Sequence, residues 1–233
     1  MKDFSQLEKK IKVKFKNPDL LKQAFVHRSY INENPNFNLA HNERLEFLGD
    51  AVLELVVTEH LYKNYPNPEG ELTNWRASLV NSQMLAKLAQ KLQMEKYLYL
   101  SKGESRDKNS KARNYILANA VEALIGAIYL DQGYKKSKDF IIEVFIPELP
   151  YILSHQLYLD PKSKFQEMAQ EKLGITPNYK VLKESGPDHN KKFQVGVYLA
   201  KEQIANSIGS SKQEAQVKAA AKALEKKKWD NHK

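Results

Sequence analysis

The chain contains no cysteine. Disulfides, thiolate metal ligands and a cysteine nucleophile are thereby excluded, and a reducing compartment is compatible without being demanded. Nowhere do about 18 apolar residues run together, and the opening MKDFSQLEKKIKVKFK lacks the uninterrupted apolar stretch of a signal peptide. No basic amphipathic helix with aromatic anchors is present either. A soluble, cytoplasmic protein with no membrane partner is the simplest expectation. Internal repeats are also missing, as are low-complexity segments other than a Lys-rich tail.

What is present is positive charge, unevenly spread. The 233 residues carry 37 Lys and Arg against 28 Asp and Glu. Residues 1–159 hold 22 basic and 19 acidic side chains, whereas residues 160–233 hold 15 and 9. The excess therefore gathers at the C-terminal end, where it would attract a polyanion. A chain of this length can build one large core and one small one.

Residues 1–155 read almost entirely as helix, with apolar residues recurring at three- and four-residue intervals. Asn17-Pro18 opens one helix, and Asn34-Pro35-Asn36 is a loop. A long helix is expected over 42–64, closed by Pro66 and Pro68, followed by helices over 69–80 and 82–94. Residues 101–113 are charged and loop-like, and 114–131 form an apolar helix ending near Gly133. From Asp160 the order becomes helix, three strands (178–184, 192–199 and 202–208) and a final Ala-rich helix over 211–227. The fold class is thus an all-α domain over 1–150, a linker over 151–159 and a small α-β-β-β-α domain over 160–228.

At roughly 100° per residue, Glu43, Glu46, Asp50 and Glu54 share a narrow wedge of the long helix, opposite Leu45, Leu48, Val52, Leu55 and Val56. Such like charges repel, so an isolated helix gains nothing from them. A second helix, YILANAVEALIGAIYL, has Asn119 and Glu122 as its only strongly polar side chains. An apolar helix of this kind belongs in a core, where an unpaired carboxylate is costly. One resolution is a buried ion pair with Arg44, Arg76 or Arg113. The other is a Mg²⁺ ion, which takes carboxylate and amide oxygens and leaves positions open for phosphate. Facing a polyanion, that second arrangement suits phosphodiester hydrolysis. His27 and His41 have no convincing Ser and acidic partner and are read as structural or loop residues.

HNERLEFLGDAVLE and ILANAVEALIGAIYLD closely resemble the two catalytic helices of the ribonuclease III family, and FKNPDLLKQAFVHRSY and RASLVNSQMLAKLA are similar to its other helices. The resemblance implies a homodimeric, helical endonuclease acting on double-stranded RNA with Mg²⁺, or Mn²⁺ in its place, and no small-molecule cofactor. It further implies 5′-phosphate and 3′-hydroxyl products and a role in processing ribosomal and messenger RNA precursors. Residue by residue it assigns Glu46, Asp50, Asn119 and Glu122 to the metal, with Asp50 and Glu122 catalytic. Glu43 and Glu69 would line the cleavage valley, and Phe47 would insert into the partner subunit, against the plainer reading of a core Phe. Asn119 stands where the family usually has Asp, which removes one negative charge from the site.

DPKSKFQEMAQEKLG, GPDHNKKF and GSSKQEAQVKAAAKAL resemble a double-stranded RNA-binding domain. Such domains read A-form shape across two minor grooves and the phosphates between them. The likeness places Gln166 and Glu167 in one minor groove, the turn with Pro187 and His189 in the next, and Lys212 on phosphate. Gln213 and Lys218 depart from the usual pattern of that last helix. The competing function is a catalytically weak or inactive RNA-binding component of a ribonucleoprotein, for which Asn119 is the one residue that speaks.

Overall fold

The structure, a computed structural model, describes residues 2–107, 110–187 and 191–229. The chain divides into two compact units, Met1–Tyr158 and Leu159–Lys233. The first contains helices α1 (Ser5–Ile11), α2 (Pro18–Ala24), α3 (Arg28–Glu33), α4 (Glu43–Asn64), α5 (Glu69–Val80), α6 (Ser82–Lys91), α7 (Lys102–Arg106), α8 (Lys111–Val144) and α9 (Leu149–Ser154). The second runs α10 (Pro161–Leu173), β1 (Asn178–Ser185), β2 (Lys192–Leu199), β3 (Glu202–Gly209) and α11 (Lys212–Lys227).

Short polar residues start many of these helices by accepting from the backbone N–H groups that the first turn leaves unpaired. Asn17, Asn81, Ser101, Ser110, Asp160 and Ser211 all do so. Two of these caps change the expected layout of residues 101–113. Ser101 starts the short α7, and Ser110 starts α8 ahead of the expected position, so that this charged stretch is largely helical. Gly133, at φ 79° and ψ −180°, breaks α8 where its end was expected, but helix resumes as far as Val144. The helix after Asn81 stops at Lys91 instead of 94, followed by Gln93 at φ 58° and a 3-10 turn over Met94–Tyr97. Residues 151–159, expected as a linker, begin inside α9, whose Ile152 is buried in the first core.

α4 and α8 form the most extensive helix pair. They cross at two glycines. A Cβ on Gly49 would stand 1.7 Å from the Glu122 carbonyl oxygen, and one on Gly126 would stand 2.2 Å from that of Leu45. Only residues without a side chain let the two backbones approach so closely. Around this crossing Leu53, Val56, Val57, Leu117, Ala120, Val121 and Leu124 are fully buried. Leu55, expected to face the core, is instead 55% exposed. It shares a stripe with Phe47 and Tyr62, which are 81% and 80% exposed.

In the second unit the antiparallel sheet has the order β1-β2-β3, with irregularities in register at Val181/Lys183 and Val197/Tyr198. Its core joins Phe165 and Ala169 of α10 to Val197, Leu199 and Ile204 of the sheet and to Ala219, Ala220, Ala223 and Leu224 of α11. The alanines let α11 lie close against the strands.

In an open helix Gly→Ala stabilises by up to ~1 kcal/mol. At Gly126 the overlap with Leu45 reverses the sign, since forced core overpacking costs about 1–3 kcal/mol or more. Thermal unfolding should therefore show Gly126→Ala well below wild type. Gly70→Ala, where a Cβ meets nothing within 4 Å, should melt at or above wild type. Equal midpoints for the two variants would disprove the close crossing.

Candidate active site and RNA interface

The glycine contact determines which polar side chains meet. Glu46 and Asp50 lie one turn apart on α4, on either side of Gly49, and Asn119 and Glu122 lie one turn apart on α8. With Gly49 against the Glu122 backbone, the two oxygen-bearing faces come together. The Asn119 side chain hydrogen-bonds Glu46. Burial pushes the Glu122 carboxyl up to about 8, reinforced by the charges of Asp50 and then Glu46. Burial, Glu43 and Asp50 raise Glu46 as well, against the lowering effect of Asn119.

These carboxylates have no Lys or Arg counter-ion among the described residues. Of the three arginines weighed as partners, Arg76 lies 2.9 Å from Glu54 and buried Arg113 lies 3.5 Å from Glu95. Arg44 is exposed and takes part in no ion pair among the described residues. The ion-pair resolution for Glu122 therefore fails. Neither are three acidic or His groups gathered closely enough, among the described residues, to hold a metal ion as the side chains stand. The donor set itself, three carboxylates and an amide oxygen on half-buried helix faces, is of the type that suits a hard divalent cation.

Glu43 is near this group, as its effect on Glu46 attests; its charge is partly balanced by Arg28 at 3.6 Å, and His41 Nδ1 lies 3.7 Å from it. Glu69 is not brought in within one chain. It begins α5 and lines a separate cleft of about 680 Å³ with Thr58, Tyr62 and Arg76. Thr58 is eight residues beyond Asp50, or ~12 Å along the helix. Phe47 is not a core Phe, because its ring is largely in solvent beside the acidic face. The residues missed in the sequence were Gly49 and Gly126. Their signal was available: each is a lone glycine inside a helical pattern, which costs stability unless something needs the space.

In the second unit, Gln166 and Glu167 are exposed on α10 and line a groove with Ser163, Gln170 and Thr176. Pro187 is exposed just after Gly186, whose φ is 90°. His189 lies outside the described residues. Lys212 is the first residue of α11, where backbone N–H groups and the helix dipole favour an anion. Lys218, one of the departures, is held 2.7 Å from Glu214.

The Glu122 environment has a consequence for stability. The folded state holds the proton of this carboxyl up to about pH 8, while the unfolded chain releases it near 4.5. The folded form thus binds more protons across that window, and stability falls as pH rises through it. In the presence of a chelator, melting temperature should decline between about pH 5 and 8 in wild type. Glu122→Gln should remove much of the decline and raise the midpoint at pH 8; parallel profiles would refute the assignment.

The comparisons with known proteins bear on both units. Residues 17–149 match the family described as Ribonuclease-III-like, and residues 161–227 match the Double-stranded RNA binding motif. Ribonuclease 3 of a Nitratiruptor species is 45% identical over 225 residues, 96% of each chain. Ribonuclease 3 of Borreliella burgdorferi is 42% identical over 224 residues, covering 94% of this chain and 91% of that protein. Among solved structures, the nuclease domain of ribonuclease III from Campylobacter jejuni superposes with a TM-score of 0.57 at 37% identity. It covers 64% of this chain and 99% of its own. With both domains matched in order, and relatives this similar along nearly the whole length, the chain belongs to the ribonuclease III family.

Proposed function

We propose that the protein is a divalent-metal-dependent endoribonuclease that hydrolyses double-stranded RNA, leaving 5′-phosphate and 3′-hydroxyl ends. The observation that carries this reading is that Glu46, Asp50 and Glu122 lie near enough at the α4–α8 crossing to disfavour one another's charge, with no Lys or Arg paired to them among the described residues. Glu46 and Glu122 are half-buried beside exposed Asp50, and carboxylates that disfavour one another's charge are tolerated where a ligand offsets the cost. Glu46, Asp50, Glu122 and the Asn119 carbonyl oxygen would hold the ion, Mg²⁺ by preference and Mn²⁺ in its place. Bound there, the metal supplies hydroxide from water and stabilises the leaving oxygen.

The chain's own residues do the rest. Asp50 and Glu122 orient the attacking water against the phosphate, while Glu43 extends the acidic lining towards α3. Gln166 and Glu167 reach one minor groove, the turn containing Pro187 and His189 the next, and Lys212 a phosphate between them. The stripe of Phe47, Leu55 and Tyr62 packs against a second copy, the kind of occupant its apolar character suits. Glu69, remote from the crossing within one chain, would line the valley that the two copies form. Ribosomal and messenger RNA precursors in the cytoplasm are the substrates that fit this activity.

Asn119 favours the alternative of a weak or inactive RNA-binding component, and one assay separates the two. A long perfect RNA duplex, incubated over a Mg²⁺ series and with chelator, should be cut into fragments bearing 5′ phosphates only when metal is present. Glu122→Gln should lose at least about a hundredfold in rate, beyond the 10–100-fold typical of mutating a residue that only supports a metal ligand. Asn119→Asp should reach half-maximal rate at lower Mg²⁺. An intact duplex at every concentration would establish the binding component instead.

Association is checked separately. By light scattering the wild type should have twice the chain mass, and Phe47→Glu should shift it towards the monomer while leaving the unfolding midpoint of the helical unit within a few degrees. A monomeric wild type would remove the apolar stripe from the interface.

A further inference from the structure

The second unit carries an internal anion at the point where RNA phosphate is expected. Glu184, near the end of β1, pairs in register with Phe193 at the start of β2. Its Oε1 lies 3.2 Å from Lys212 Nζ and its Oε2 lies 3.3 Å from Lys191 Nζ. The same two ammonium groups lie over the Phe193 ring, 5.5 Å and 5.9 Å from its centre. Lys212 begins α11, and Lys191 immediately precedes β2. One carboxylate therefore bridges two cations contributed by separate elements, beside a helix N-terminus.

Resting on the reading of Lys212 as a phosphate contact, we propose that Glu184 is a built-in counter-ion that a duplex phosphate must displace, and so limits RNA affinity. Three features argue for a brake over a scaffold. First, all three charged side chains are 37–57% exposed, and ion pairs between exposed groups are weak and readily exchanged. Second, both ammonium groups also lie over the Phe193 ring, a cation–π contact that does not involve the carboxylate and so remains available on its removal. Third, a phosphate bound at Lys212 would lie well within the Debye length of Glu184, so the two anions repel at physiological salt. A duplex phosphodiester carries the same single charge as Glu184 but can also accept from the backbone N–H groups at the start of α11, and so wins the exchange at a cost.

Binding of the full-length protein to an RNA duplex of about 20 bp, long enough for the roughly 16 bp such a domain spans, tests this. Fluorescence anisotropy in chelator, which prevents cleavage, is recorded across a salt series. Glu184→Gln should bind up to about fivefold more tightly at low salt, the scale of a surface ion pair, and its affinity should fall more steeply with salt. Glu202→Gln makes the same change of net charge at the β2–β3 turn and should stay within about twofold of wild type. In a Lys212→Ala background the gain from Glu184→Gln should be mostly lost. Glu184→Thr, which suits a strand, repeats the measurement should the amide variant fold poorly.

Two kinds of failure are distinguishable. If Lys212→Ala weakens binding and flattens the salt slope while Glu184→Gln binds equally or more weakly, the brake is overturned and the phosphate contact stands. If Lys212→Ala leaves affinity and slope unchanged, the phosphate contact itself is wrong. A gain from Glu202→Gln equal to that from Glu184→Gln would reduce the effect to net charge and also overturn the proposal.

Discussion

The chemistry of the first unit depends on a backbone contact with no side chain in it. At Gly49 and Gly126 the helices α4 and α8 touch through main-chain atoms, and a single methyl group at either position would overlap a carbonyl. Helices usually pack 8–10 Å apart because side chains lie between them. Removing those side chains at one point draws Glu46 and Asp50 towards Glu122 and Asn119, and surrounding leucines and valines hold the pair there. The apolar core thus compresses four oxygen-bearing groups that would separate in water.

Two sites, one in each unit, treat charge in opposite ways. At the α4–α8 crossing carboxylates come near one another with no paired cation among the described residues, and burial, reinforced by Asp50 and Glu46, pushes the Glu122 carboxyl up to about 8. In the second unit charges are paired off: Lys212 and Lys191 with Glu184, and Lys218 with Glu214. The first arrangement stores repulsion that a cation would relieve; the second stores cations against a weak internal anion. Each is suited to a different part of the same ligand, a polymer of phosphates accompanied by metal ions.

Much of this was legible in the chain because the relevant spacings are local. Glu46 and Asp50 at i, i+4 and Asn119 and Glu122 at i, i+3 define helix faces without reference to anything distant, and so do the capping residues at Asn17, Asp160 and Ser211. Residues such as Leu55 were misplaced because periodicity identifies an apolar face but not what covers it. The caps at Ser101 and Ser110 sit in a densely charged stretch whose composition resembles a loop and masks the capping signal. Glu69 could be assigned to a valley by resemblance, yet nothing within one chain brings it to the crossing.

The amino-acid sequence by itself determined the two-unit organisation, the helical and αβββα patterns, the basic C-terminal end and the residue types available for metal and phosphate. Those follow from hydrophobic period, capping chemistry and charge, all set within a few residues. Tertiary structure alone decided that the Glu46 and Asp50 side of α4 comes to Glu122, that none of these three is paired with an arginine among the described residues, that Phe47 stands in solvent, and that Glu184 reaches both Lys191 and Lys212. Each of these joins residues on separate elements, and their distances depend on how close two backbones can come, which here turns on the absence of a Cβ at Gly49 and Gly126.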